Sequence, residues 1–151
     1  MDRFLIEFAS VDLENAEFNA TRTDDFHTRA AAYHVEQAIE KILKQVIKEL
    51  GLPYENNHKV NKLLETIPDD NGMAPLDMLI ELEPYAGMLV DWATSIKCNS
   101  SSVATRRTML KLKDYANRLY IEVRSNLMDR DMLYSSMSKP KPSDITFLNL
   151  N

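Results

Sequence analysis

The chain has 151 residues, 44% of them hydrophobic, and its 18 Lys+Arg against 23 Asp+Glu give a formal net charge of −5. That length suits one domain burying about 68–70% of its unfolded surface, and only 3 Gly and 6 Pro amid abundant Leu, Ala, Glu and Lys point to helices. Cys98, the one cysteine, excludes an intrachain disulfide, Asp2 and Glu7 interrupt a signal-like start, and no apolar run approaches the ~20 residues of a membrane-spanning helix, so a cytoplasmic, membrane-free protein is expected.

In chain order, residues 4–20 place Leu5, Phe8, Ala9, Leu13 and Ala16 near one helical face. "TRTDD" then breaks the pattern, and Thr23 or Asp24 can cap the next helix by accepting a backbone N–H bond. That second helix carries Ile39, Ile42, Leu43, Val46, Ile47 and Leu50 as a nearly unbroken apolar stripe. Ala31, Ala32 and Val35 continue the stripe backwards with small side chains, which permits close approach of a neighbour. Gly51 supplies a left-handed stop, and Pro53 prevents continuation.

A short helix from about Asn57 is expected to bury Val60, Leu63, Leu64 and Ile67, and "PDDNG" ends it with turn chemistry. Residues 76–97 form the next helical region, with Leu79, Leu82, Ala86, Leu89, Val90, Ala93 and Ile96 inward and a kink or restart at Pro84. "CNSSS" offers Ser102 as a cap for a last long helix over residues 103–127, whose Leu112, Ala116, Leu119, Tyr120 and Val123 face the core. From Met128 the sequence changes: "SKPKPSD" cannot continue a helix, and "ITFLNLN" is an apolar terminus suited to covering the bundle or a partner chain. The pattern therefore predicts an all-α, up-and-down bundle of four to five helices over residues 1–127, followed by an extended tail over 128–151.

Charge is distributed unevenly. Residues 1–96 hold 8 Lys+Arg and 18 Asp+Glu, whereas residues 97–124 hold seven cations (Lys97, Arg106, Arg107, Lys111, Lys113, Arg118 and Arg124) against Asp114 and Glu122. Such a stretch either attracts phosphate over roughly a ~10 Å Debye length or neutralises acidic neighbours within the bundle, and the second is the simpler account.

Motif chemistry is sparse. His27 and His34 are separated by ~10.5 Å of helical rise, too far for one metal, and His58 and Cys98 could join a site only through tertiary proximity. No metal and no cofactor are expected. Arg29 and His34 match an Arg-x4-His ribonuclease spacing, as do Arg22 and His27, but on one regular helix five residues turn the side chains about 140° apart. No phosphate-cradling Gly loop, nucleophile elbow or paired-Cys motif occurs, so no catalytic residue is assigned. Tyr33, Gln37, Glu40 and Lys44 follow at spacings of three or four beside the apolar stripe. Their spacing fits a solvated flank held by a Glu40–Lys44 pair, or a polar groove that recognises a ligand.

"DLENAEF" (residues 12–18), "AAYHVEQAIEKILK" (31–44) and "HKVNKLL" (58–64) together resemble the HEPN domain, the higher eukaryotes and prokaryotes nucleotide-binding family. The matching positions are Asp12, Leu13 and Ala16, then His34, Gln37, Ala38, Glu40, Lys41, Leu43 and Lys44, then His58, Leu63 and Leu64, with Glu36 replacing a Gln. The resemblance covers about residues 4–127 and implies a bundle of four or five helices, usually dimeric. Some members are ribonuclease toxins, and others accompany a nucleotidyltransferase and help bind its substrate. The ribonuclease members carry Arg-x4–6-His near the start of the last long helix, and here no His follows His58.

The resulting expectation is a non-catalytic, homodimeric HEPN-type protein that recognises a nucleotide, RNA or a nucleotidyltransferase partner, in a toxin–antitoxin-like setting. Tyr33, Gln37, Glu40 and Lys44 would line a groove, while Lys97, Arg106 and Arg107 would supply charge for phosphate. The alternatives are a divergent metal-independent ribonuclease and a purely structural dimerisation or adaptor bundle.

Overall fold

The computed structural model describes residues 3–54, 59–98 and 105–138, with the side chains of 95–98 and 138 left aside. It consists of helices α1 (Phe4–Ala20), α2 (Asp25–Glu49), α3 (Val60–Thr66), α4 (Leu76–Leu82), α5 (Ala86–Cys98) and α6 (Arg106–Ser138), and a 3-10 turn at Glu83–Tyr85 links α4 to α5. Pro84 sits in that turn, where its missing N–H and fixed φ suit a helix restart, so α4 and α5 act as one interrupted helix. Counted that way, five helices among the described residues form the expected all-α bundle.

Local chemistry sets the element ends. Asp24 caps α2: its backbone is extended, and its carboxylate accepts the His27 N–H at 2.9 Å. Gly51 follows α2 with φ +69, the left-handed conformation that an L side chain rarely adopts. Thr105 does for α6 what Ser102 was expected to do, accepting the Thr108 N–H at 3.3 Å. Asn57, His58 and Ser102 fall outside the described residues.

α2 is the hub, touching α1, α3, α5 and α6. Ile39, Ile42, Leu43, Val46 and Ile47 are fully buried, each contributing roughly 1.5–3 kcal/mol of apolar transfer. Ala31, Ala32 and Ala38 are equally buried, and with Ala9 and Ala16 they keep the α1–α2 seam thin. Trp92, Leu82, Leu89, Met109, Leu112 and Leu119 close the core from α4, α5 and α6.

Two expectations need correction. Phe8 is exposed, because the face that α1 buries runs through Ile6, Ala9, Leu13, Ala16 and Ala20 instead. The last helix does not end at Leu127 but continues to Ser138, so Met128 opens no extended tail. Its sequence from 128 to 138 contains neither Gly nor Pro, and nothing local stops the helix. The "ITFLNLN" segment lies outside the described residues.

α6 runs antiparallel to α1 and is clamped to it at both ends. Arg106 donates from Nη1 to Arg22 O and from Nη2 to Ala20 O, both at 2.9 Å, at the C-terminus of α1. Lys113 pairs with Glu17, and Arg3 reaches Asp131 at 2.7 Å and Glu49 at 3.0 Å. The "PDDNG" loop is folded around Asn71, whose amide donates to Pro68 O and Ala74 O and whose carbonyl accepts from Met73 and Ala74 N–H. α6 holds this loop in turn, through Asn126 to Met73 O at 2.6 Å.

Candidate functional site: the polar strip of α2

At ~100° per residue, Glu36 and Glu40 lie on one side of α2, Asp12-facing His34 and Lys41 on another, and Tyr33, Lys44 and Gln37 between them. The structure divides these residues into an inner and an outer row. Glu36, Glu40, Lys44 and Gln45 are buried, whereas Tyr33, His34, Gln37 and Lys41 are half-buried and reach solvent.

The inner row is a connected polar core. Lys44 Nζ donates to Glu40 Oε1 at 2.6 Å and stands 6.0 Å from the centre of the Tyr54 ring. Gln37 Nε2 donates to Glu36 Oε2 at 2.7 Å, and Glu36 also shares a side-chain hydrogen bond with Glu40. Burial, followed by the charge of Glu40, pushes the Glu36 carboxyl up to about 8, so it is largely neutral at pH 7. A neutral carboxyl is at once donor and acceptor. Gln45 is fully buried and accepts the Ile6 N–H at 3.2 Å, satisfying one of the orphan donors in the first turn of α1.

The outer row is organised by Asp12 on α1. Its Oδ1 lies 2.9 Å from His34 Nδ1, and its Oδ2 binds Lys41 Nζ. A carboxylate only accepts, so Nδ1 carries the proton of this contact and Nε2 is turned away from Asp12. The Tyr33 ring meets the His34 ring edge-on, with centroids 5.3 Å apart. The strip thus holds, within two helical turns, an aromatic face, an oriented imidazole, an amide and an ammonium group.

The expected site residues are therefore scattered in role. Tyr33 and Gln37 lie on the accessible strip, but Glu40 and Lys44 turn inward and pair with each other. Arg106 is engaged in capping α1, Arg107 is exposed, and Lys97 ends α5 with its side chain outside the described residues. Most of the other cations of the basic stretch are also occupied: Lys113 by Glu17, Arg118 by Glu81, and Lys111 over the Tyr85 ring at 5.4 Å. Of this stretch, Lys113 and Arg118 neutralise carboxylates of their own bundle. Arg29 and His34 do not converge within one chain, because on the regular helix α2 their side chains diverge by about 140°.

Spacing along α2 alone does not reveal His34 and Lys41 as the outward pair. The available signal was Asp12, a carboxylate beside the small-residue face of α1, which needs a cation or donor from its neighbour. A second acid–imidazole contact, Asp24 with His27 Nδ1 at 2.7 Å, belongs to the cap of α2; the His27 N–H and ring hold the Asp24 carboxyl below its ordinary range. Among the described residues, no group of three or more His, Cys, Asp or Glu could hold a metal ion. None of the described helices is long and apolar enough to cross a membrane.

A family model for the HEPN domain matches residues 3–126, and the chain belongs to that family. No curated protein and no solved structure matches it. Membership points to a nucleotide- or RNA-related function.

Proposed function

We propose that this HEPN-domain chain is a non-catalytic binding protein for a nucleotide or RNA, acting as a homodimer or beside a nucleotidyltransferase, and that Tyr33, His34, Gln37 and Lys41 are its recognition strip. The observation that carries this reading is the accessible outer row, in which Asp12 fixes the His34 ring and the Lys41 ammonium next to Tyr33 and Gln37. An aromatic face accepts a stacked base whatever its identity, at roughly 1–3 kcal/mol per base. Gln37 can read a base edge, and Lys41 adds a cation for a phosphate oxygen. Behind them the neutral Glu36 carboxyl holds the Gln37 amide in orientation.

Calorimetric titration of the purified chain with nucleoside triphosphates and a short single-stranded RNA at low salt tests this. Binding is expected, weakened at least tenfold by Tyr33→Ala and with a shallower salt dependence in Lys41→Ala. Flat titrations with every ligand, or unchanged affinity in both variants, would remove the strip from consideration.

A divergent metal-independent ribonuclease is the second reading, and the Asp12–His34 pair favours it, because a carboxylate-oriented imidazole is the usual arrangement of a general base. Cleavage of RNA in chelator that disappears in both His34→Ala and Asp12→Asn would support it. Equal background cleavage by all three proteins would dismiss it.

A further inference from the structure

α1 has two apolar faces. Ile6, Ala9, Leu13, Ala16 and Ala20 are buried, while Phe8, Val11 and Phe18 are 55%, 52% and 65% exposed on the opposite side, with Phe4 in line and its ring 6.4 Å from that of Phe8. From Phe4 to Phe18 this outward stripe spans about 21 Å of helix. Single exposed apolar residues are ordinary on a soluble surface, but three phenylalanines and a valine aligned on one helix face are a contact surface. Along one edge run Glu7 and Glu14, both exposed and without an ion pair among the described residues; Glu17, further round, is already neutralised by Lys113. Asn15 interrupts the stripe between Phe4 and Phe8, and Asn19 lies on its other edge.

We infer that this face docks an amphipathic helix of another protein, one whose apolar stripe is flanked by Lys or Arg. The acidic edge selects that chemistry. Antiparallel pairing of α1 with its own copy would set the Glu7–Glu14 edge against the same edge, a like-charge arrangement. The chain's own last residues, 139–151, carry Lys139 and Lys141, but Pro140 and Pro142 interleave them and break the helical pattern, so they do not flank residues 145–150 as one amphipathic helix. A basic amphipathic helix satisfies both halves of the surface, with the aromatic residues as anchors and the glutamates setting orientation. The surface lies on α1 and borders the α2 strip at Asp12, one turn beyond Phe8, so the test below separates the two.

The test uses the full chain and two labelled synthetic peptides of about 18 residues. Both carry Leu at helical spacing, one with lysine flanks and the other with glutamate flanks, and binding is read by fluorescence anisotropy. The lysine peptide is expected to bind at least tenfold more tightly than the glutamate peptide, and to weaken as salt rises. Phe8→Asp, an exposed substitution, removes the binding. The double variant Glu7→Lys/Glu14→Lys reverses the preference between the peptides. Tyr33→Ala leaves the peptide affinity unchanged, which separates this surface from the α2 strip. Absent binding, equal affinity for both peptides, or full affinity in Phe8→Asp would overturn the inference. So would a sedimenting mass of two chains that falls to one in Phe8→Asp, which would make the face a self-interface. A chain ending at Ser138 that binds where the full chain does not would likewise overturn it, by assigning the face to the tail.

Discussion

Glu40–Lys44 within α2 and Glu81–Arg118 between α4 and α6 are both acid–base contacts, with closest approaches of 2.6 and 2.7 Å. The side chains of the first pair are 5% and 9% exposed, and those of the second 40% and 55%. Their geometry is alike and their energetics are opposite. In the exposed pair, water screens the attraction and competes for both ends. In the buried pair, both charges have lost their hydration, and their mutual attraction offsets part of that cost. A short contact therefore reports neither stability nor purpose until burial is known. The contrast also explains why the basic stretch of α6 resembled a phosphate-binding surface in sequence and yet mostly clamps the bundle.

Mutations sharpen the contrast, beginning with the largest effect. Lys44→Met removes the ammonium that lies 2.6 Å from buried Glu40 and is expected to cost about 3–5 kcal/mol in urea unfolding at pH 7. A loss below 1 kcal/mol would show that the inner row is hydrated.

Glu36 comes next, through pH. Its folded-state value of about 8 lies above the ordinary 4.5, so between those two values the folded chain holds a proton that the unfolded chain has released. Stability from this group is fully present below pH 4.5, declines by about 1.4 kcal/mol per pH unit toward pH 8, and levels off above it. Glu36→Gln should flatten that part of the profile and raise the melting temperature at pH 8–9 relative to the native chain. Parallel profiles for the two proteins would show that Glu36 is ionised in the fold.

Arg106→Gln removes two charge-assisted bonds from the end of α1 and is expected to cost about 1.5–3 kcal/mol, visible as a lowered denaturation midpoint. Arg118→Gln closes the series: losing an exposed pair should cost less than about 1 kcal/mol. If Arg118 proved the costlier of the two, the distinction drawn from burial would fail.

Much of this bundle is legible in the sequence because its signals are local. α1 occupies the residues that its pattern marks, and the stripe of α2, its Gly51 stop and the break at Pro84 each follow from a short stretch of chain. Errors arise where one pattern fits two surroundings. α1 is apolar on both sides, so its periodicity allows either face to be buried, and Phe8 fell on the wrong one. A Glu and a Lys four residues apart look the same on a solvated flank and inside a core, which is how Glu40 and Lys44 were placed in an open groove. The Asp12 pairs with His34 and Lys41 and the Arg106 cap join residues distant in sequence, and no local pattern encodes them. The end of α6 was misplaced because an amphipathic stripe weakens once the helix leaves the bundle, although the helix itself does not stop.

The clamp between Arg3 and Asp131 has a consequence for synthesis. These residues are 128 positions apart, and Arg106 closes the other end of the same seam across 84 and 86 positions. A chain emerging from the ribosome can pair α1 with α2 early, but α1 meets its second neighbour only after nearly the whole sequence has been made. Until then the small-residue hairpin stands with one flank bare, and its outward phenylalanines add to the surface that a chaperone could hold.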